Sequence, residues 1–486
     1  MLLRQIFDDK LAQYAYLVGC QATGEALVID PERDIDRYVE LAESEGLTIT
    51  TVTETHIHAD FLSGAREFAE RFGTKLYLSD EGDANWKYEW VKDGDYDYEL
   101  LKDGDTFRVG NISVQAVHTP GHTPEHMVFL ITDEGGGADE PIGLASGDFV
   151  FVGDLGRPDL LETAAKVEGM MEPSARRLYS SVQDFLKLPD YLQVWPAHGA
   201  GSACGKALGA VPETTVGYER RFSPAIEAAM RGEDAFVDFI LTGQPEPPTY
   251  FARMKRDNKL GAPVLGNLPS PRKLARSELE KLSGREDLLV VDTRLDRDAY
   301  MARHLEGSLY APLDRAFSQV VGSLVEDETT PLFLVVREED LDEAVRSLVR
   351  IGYDNVAGFV EPEALEAYFI DGGAYDSIDV IDFADLESAR KEDGALPLDV
   401  RFSSEFEEGR VPGALNTSYT RLPEYEPRIP ENGTLLVYCR TGSRAAAAAS
   451  YLKRQGFDVR YVDDLIADYP AIGPLETTEA AEPAAV

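Results

Sequence analysis

Thr55-His56-Ile57-His58-Ala59-Asp60-Phe61 follows the apolar, β-branched run Thr48–Val52. Two imidazoles two residues apart in an extended loop point the same way, and Asp60 continues that face. Three later segments share this form. His118 stands in Val117-His118-Thr119-Pro120-Gly121-His122-Thr123-Pro124-Glu125-His126, Asp148 in Ser146-Gly147-Asp148-Phe149, and His198 in Trp195-Pro196-Ala197-His198-Gly199. Each ends an apolar run, so the spacing predicts several strand ends converging on one edge of a sheet, where open α/β sheets hold ligands. Six of the seven histidines lie in these motifs; the seventh is His304. A lone histidine is more often structural than functional, but imidazoles clustered with carboxylates are the usual ligands of a divalent metal.

Outward from that loop, residues 1 to about 264 read as alternating strands and helices. Ala26–Ile29, Thr48–Val52, Ile112–Val117 and Met127–Ile131 are strand-like, while Gly64–Phe72 and Ala175–Leu186 are helical. The stretch Thr242–Pro271 contains six prolines and reads as a linker or closing arm.

An internal repeat follows, with a period of about 105 residues. Residues 278–294, ELEKLSGREDLLVVDTR, are echoed by residues 385–401, DLESARKEDGALPLDVR, which aligns Asp292 and Arg294 with Asp399 and Arg401. Each copy continues with a Gly-containing turn (His304–Ser308; Val411–Ala414), an apolar strand (Leu332–Val336; Leu435–Tyr438) and a Gly-aromatic-Asp step. Strand–helix alternation at this length implies two small parallel-sheet domains. The domains expected are therefore 1–264, 272–372 and 375–472, with a disordered Ala/Glu/Pro-rich tail at 473–486.

In the second copy Val437-Tyr438-Cys439-Arg440-Thr441-Gly442-Ser443-Arg444 ends a strand and opens a helix. A thiol there faces backbone N–H groups and the positive end of a helix. Arg440 and Arg444 add charge, and all three favour the nucleophilic thiolate. In the first copy the aligned residue is Val335 or Val336, followed by Arg337-Glu338-Glu339-Asp340, an acidic loop without a thiol. That copy is expected to be an inactive spacer.

Composition bounds the rest. With 486 residues, 43% hydrophobic, the chain is globular and multidomain, and no apolar run is long enough to span a bilayer. Arg4, Asp8, Asp9 and Lys10 interrupt the N-terminal apolar stretch, against a secretory signal, so the expected compartment is the cytoplasm. Cys20, Cys204 and Cys439 are too few and too scattered for a disulfide framework. A net charge of −41 repels nucleic acid and anionic membrane and argues against both as partners. The acidic, Lys-poor balance (14 Lys, 33 Arg) fits either a salt-adapted surface or a GC-rich genome.

The N-terminal motifs resemble the metallo-β-lactamase superfamily, whose pattern is HxHxDH followed by His, Asp and His. The resemblance implies an αββα sandwich. Phe61 stands where the two-metal hydrolases have a further ligand, and a single-metal centre follows. Within that superfamily THxHAD, HTPGHT, the SGDxxFxGDxGRPD segment and PAHGAGSxCGKAL resemble the persulfide dioxygenases. That resemblance implies one iron(II) on His56, His118 and Asp148, with His58, Asp60 and His198 orienting the ligands through hydrogen bonds. His122 and His126 are expected to pack or to hydrogen-bond nearby. Arg157 meets the anionic end of a thiol cofactor or pairs with a buried carboxylate, and Cys204 is core filler or a near-site group.

The repeat resembles the rhodanese family: the Asp399–Arg401 pair, the Val411-Pro412-Gly413-Ala414 turn with Asn416, and the Cys439 loop, with Arg410 where that family often has His. Together the resemblances imply an α/β multidomain enzyme. A small thiol persulfide, O2 and sulfite would be its substrates, Cys439 its sulfur carrier, and homo-oligomerisation stays open. The alternatives are a zinc thioesterase of the glyoxalase II type and a non-catalytic persulfide sensor.

Overall fold

A computed structural model describes residues 1–163, 169–391, 395–430 and 432–477. The predicted tail at 473–486 therefore lies outside the described residues from position 478 onward. Within its described part, 473–477, the chain is not free: Arg410 and Glu476 exchange backbone hydrogen bonds of 2.9 Å. The described chain divides into two compact units, residues 1–268 with 349–352, and residues 269–348 with 353–486. Among the described residues no helix is long and apolar enough to cross a membrane.

The first unit holds two six-stranded sheets. One runs in chain order from Leu2–Asp8 to Tyr98–Leu101, antiparallel at its start and parallel from Glu25–Ile29 onward. The other runs from Thr214–Thr215 through Gln193–Pro196, Gly143–Gly147, Met127–Thr132 and Ile112–His118 to Thr106–Val109. Alternation along Gln13–Cys20 shows how the layers form. Tyr16, Val18 and Cys20 join Val114, Phe129 and Trp195 of the other sheet in one core. Ala15 and Leu17 face the opposite way, onto Tyr38 and Phe68 of the helices Asp36–Ser44 and Ala65–Phe72. The second sheet packs its outer face, Leu144 and Val194, against Leu178, Val182 and Phe236 of the helices Met171–Phe185 and Glu233–Leu241. Each fully buried Leu, Val or Phe contributes about 1.5–3 kcal/mol to this αββα sandwich. The fold class expected from the motifs is the one observed.

The stretch expected to be a linker or a closing arm contains a helix. Pro245, Pro247, Pro248 and Pro263 bracket a proline-free segment, and Phe251–Leu260 within it is a helix ended by Gly261 at φ +93°. Its Asn258 is buried and has a structural task. Its amide donates to the carbonyls of His58 (2.8 Å) and Phe61 (2.7 Å), and its Oδ1 accepts from the Ser63 N–H (2.9 Å). The helix thereby clamps the loop of His56, His58 and Asp60.

The second unit holds two five-stranded parallel sheets. Their strand orders correspond: Arg272–Lys273, Val356–Val360, Leu332–Val335, Leu289–Asp292, Leu309–Tyr310, and Asp379–Ile381, Asp458–Val462, Thr434–Tyr438, Leu396–Asp399, Leu415–Asn416. Each copy has a buried, forked Asp–Arg pair. Arg294 grips Asp292 and the Arg303 carbonyl, and Arg401 grips Asp399 and the Gly409 carbonyl. The register also decides an alignment that spacing left open. Asp292 pairs with Val335 and Asp399 with Tyr438, so Val336 occupies the position of Cys439.

Candidate metal centre and sulfur-carrier loop

The metal centre is assembled from strand ends of both sheets in the first unit, and each imidazole is aimed by what its other nitrogen does. The Thr55 hydroxyl donates to Asp30 Oδ2 (2.9 Å), which leaves it to accept from His56 Nδ1 (2.9 Å) and directs His56 Nε2 inward. His122 Nδ1 donates to the Arg157 carbonyl (3.0 Å), and its Nε2 lies 3.4 Å from Asp148 Oδ2. His56 Nε2 is 4.0 Å from the same oxygen. His126 takes the reverse tautomer. Its Nε2 accepts from the Asp148 N–H (3.1 Å) and its Nδ1 donates to the Thr119 hydroxyl (2.9 Å), fixing the Asp148 backbone.

Burial holds the His56 and His126 imidazoles well below the ordinary histidine range, reinforced by neighbouring rings, and lowers His122 against the pull of Asp148. A neutral imidazole is the form a metal binds. Burial also disfavours charge on His58, but Asp30 at 3.1 Å outweighs it and raises the group to about 9. His198 is likewise held protonated by Asp148 (3.4 Å) and Asp60 (3.2 Å) against its burial. Burial pushes the Cys204 thiol up to about 12.

His56, His122 and Asp148 offer three ligand atoms within 4.8 Å of one another, and Asp60, His198 and Cys204 form a second such group. Both Asp148 oxygens are buried without a hydrogen-bond partner. Buried polar atoms are rarely left so, and their convergence beside two neutral imidazoles fits a cation at the first group. In the second group the His198 imidazole lies between two carboxylates, Asp148 (3.4 Å) and Asp60 (3.2 Å). Phe61 is fully buried with its ring 4.3 Å from that of His58, and contributes packing rather than a ligand.

The structure places two of the expected site residues away from the metal or substrate role. His118, predicted as a ligand, ends the strand Ile112–His118 and bonds the Pro124 carbonyl through Nε2 (2.8 Å). The chain then turns at Pro120–Gly121 and brings His122 inward. Gly121 sits at φ +151°, and a Cβ there would lie 2.5 Å from the Leu178 Cβ, so only glycine lets the turn lie this close to the helix. Arg157, expected either to meet a thiol cofactor or to pair with a buried carboxylate, is 1% exposed. It forks onto Asp159 (2.8 and 2.6 Å) and donates to the Ala203 carbonyl (3.1 Å). Its contribution to the site is its carbonyl, which orients His122. Arg157→Ala leaves the Asp159 carboxylate buried without its cation, with only the Thr163 hydroxyl (3.2 Å) as a side-chain partner among the described residues. The first unfolding transition is expected to lose about 3–5 kcal/mol, read by urea titration with circular dichroism.

Sequence reasoning missed two residues at this centre, Asn258 and Asp30, and gave His122 only a packing or hydrogen-bonding role. Asp30 follows an apolar strand as Asp148 does, so the strand-end signal was present. It adopts φ +52°, and its carboxylate accepts from the Thr55 N–H (2.7 Å), the Thr55 hydroxyl and His58.

In the second unit Cys439 follows the strand Thr434–Tyr438, and Gly442 at φ +87° turns the chain into the helix Ser443–Arg454. The Ala445 N–H points at Cys439 Sγ (3.4 Å), so the sulfur sits at the helix N-terminus. Arg444 forks onto Glu405 (2.6 and 2.9 Å) with its guanidinium 5.4 Å over the Phe402 ring, and Arg440 is exposed at the loop rim. Asn416 ties the carbonyls of Asp399 and Arg401 (both 3.0 Å). In the first copy Arg337 pairs with Glu339 and Asp340 (both 2.7 Å).

Residues 8–198 match the metallo-beta-lactamase superfamily and residues 382–468 the rhodanese-like domain. A crystal structure of a metallo-beta-lactamase from Staphylococcus aureus subsp. aureus COL is 40% identical. It has a TM-score of 0.66, and the match covers 74% of this chain and 99% of that one. The mitochondrial persulfide dioxygenase of Bos taurus is 27% identical over 204 residues, 41% of this chain and 68% of the relative. A beta-lactamase hydrolase-like protein of Agrobacterium fabrum is 28% identical over 255 residues, 48% of this chain, and the chain spans 54% of that relative's length.

Proposed function

The chain belongs to the metallo-β-lactamase superfamily and carries a C-terminal rhodanese-like domain, and from that premise we propose a persulfide dioxygenase coupled to a sulfurtransferase. The observation that carries the reading is the donor set. Two neutral imidazoles, His56 and His122, meet one carboxylate, Asp148, in the chain that also holds Cys439 at a helix N-terminus. Two imidazoles with one carboxylate are the donor set of non-haem iron(II) oxygenases, which leaves positions for O2 and a sulfur ligand together. His56, His122 and Asp148 would hold one such iron, which supplies redox and Lewis-acid chemistry when bound.

The chain's own groups do the remainder. Thr55 and the Arg157 carbonyl hold the two Nε2 lone pairs inward, and His126 fixes the Asp148 backbone. Asp60 and His198 keep a compact charged pair beside it, and burial excludes water from all of them. The overall reaction converts a low-molecular-weight thiol persulfide, O2 and water to the thiol, sulfite and protons. Cys439 then takes the outer sulfur of a second persulfide. A bond forms between Cys439 Sγ and that sulfur, and the original S–S bond breaks to release the thiol. Sulfite attacks the outer sulfur of the Cys439 persulfide, thiosulfate departs, and the thiolate is restored. One chain bearing both activities raises the local concentration of sulfite.

The test is oxygen uptake with glutathione persulfide by protein loaded anaerobically with iron, with sulfite and thiosulfate measured by chromatography. Uptake with one sulfur oxidised per O2 is expected. No uptake by fully iron-loaded protein, together with thioester hydrolysis by the zinc-loaded form, would overturn the reading in favour of a hydrolase.

A further inference from the structure

We propose that Arg297, in the repeat that lacks a thiol, is a positioning residue for the Cys439 loop. Asp296 caps the short helix Arg297–Ala302 by accepting from the Ala299 N–H (3.0 Å) and sets Arg297 at its first position. From there the guanidinium reaches the other repeat. Nη1 donates to the Thr441 carbonyl (3.2 Å) and lies 3.5 Å from Ser443 Oγ, while Nη2 pairs with Asp463 (2.8 Å). Asp463 also accepts from the Tyr461 hydroxyl (2.9 Å).

These groups close over the turn that follows the nucleophile. A Cβ on Gly442 would meet Tyr461 OH at 2.4 Å, Asp463 Oδ1 at 2.6 Å and Arg297 Nη1 at 3.1 Å. The loop sets the Ala445 N–H against Cys439 Sγ (3.4 Å), and two of the four residues between Cys439 and Arg444, Thr441 and Ser443, are touched by Arg297. Arginine suits this task because its planar fork holds a carboxylate and a carbonyl at once. Gln319 of the same repeat makes a second reach, accepting at 2.6 Å from the hydroxyl of Tyr419, a buried residue near Arg444 and Cys439. The repeat without a thiol is thus part of the sulfur site rather than a spacer. A partly exposed ion pair contributes little to stability, so the role is geometric.

This inference rests on the sulfurtransferase reading, but one arm of its test does not depend on that activity. In full-length protein, Arg297→Ala should speed amide hydrogen exchange in the peptide spanning residues 438–447 about tenfold, leaving strand Leu396–Asp399 unchanged. Transfer from thiosulfate to cyanide should lose about tenfold in kcat with KM for thiosulfate within about twofold, and Arg297→Lys should recover part of the loss. Arg454→Ala is the control, because Arg454 also joins the repeats, through the carbonyls of Gly307 and Leu288 (3.2 Å to the latter), away from the loop. It should leave exchange and kcat unchanged. Unaltered exchange in Arg297→Ala, or an equal effect in Arg454→Ala, would overturn the proposal. If wild-type protein transfers no sulfur, the sulfurtransferase reading fails, and the exchange arm still decides whether Arg297 holds the loop.

Discussion

His122→Ala is expected to weaken iron binding by more than about a hundredfold and to abolish persulfide-dependent oxygen uptake, while His118→Ala leaves both within about twofold. Disturbing a group that only orients a metal ligand already costs 10–100-fold, so loss of a ligand exceeds that range. A hundredfold loss corresponds to about 2.7 kcal/mol. The contrast rests on the Nε2 atoms. That of His122 lies 3.4 Å from Asp148 Oδ2 with its Nδ1 committed to the Arg157 carbonyl, whereas that of His118 is spent on the Pro124 carbonyl. Losing the His118 bond costs about 0.5–1.5 kcal/mol of stability, which a domain of this size absorbs. Metal content by mass spectrometry and uptake at an oxygen electrode read both variants. Iron lost from His118→Ala and retained by His122→Ala would return the assignment to the strand end.

That pair of residues also shows where the sequence stopped being legible. Strand ends were readable because β-branched runs end in glycine, histidine and aspartate, and the sheet positions of His56, Asp148 and His198 follow from that pattern. Choosing between the two histidines of His118-Thr119-Pro120-Gly121-His122 needs the packing of Gly121 on Leu178, a residue of a distant helix. Arg157 had two readings that spacing could not separate, and the fork onto Asp159 within the buried core separates them. The helix Phe251–Leu260 was readable in principle, since it is free of proline and ends at Gly261, but the surrounding prolines dominated. The repeat was legible through its Asp–Arg pairs because each is local, two residues apart. Arg297 was not, because its partners lie in the other copy and nothing in its own neighbourhood marks it.

Cys439→Ser should remove sulfur transfer while sparing oxidation. The hydroxyl is close in size to the thiol, so the loop, the Ala445 N–H and the Arg444–Glu405 fork keep their places. What is lost is the ability to form a thiolate and to hold a second sulfur. Thiosulfate formation should fall by roughly 10³-fold or more, as for other single nucleophiles. Oxygen uptake should stay within about twofold, because the residues that would hold the metal belong to the other compact unit. Sulfite should then accumulate in place of thiosulfate, one for each O2 consumed. Product analysis under single-enzyme conditions reads both. Unchanged thiosulfate would remove Cys439 from the reaction, and an equal loss of oxygen uptake would mean that the two activities are not separable at this residue. The sharpest reading comes from adding sulfite to wild type and variant with a persulfide under argon. With no oxidation to supply or consume sulfite, the thiosulfate formed by wild type above that formed by the variant, which measures the direct reaction of sulfite with the persulfide, reports Cys439.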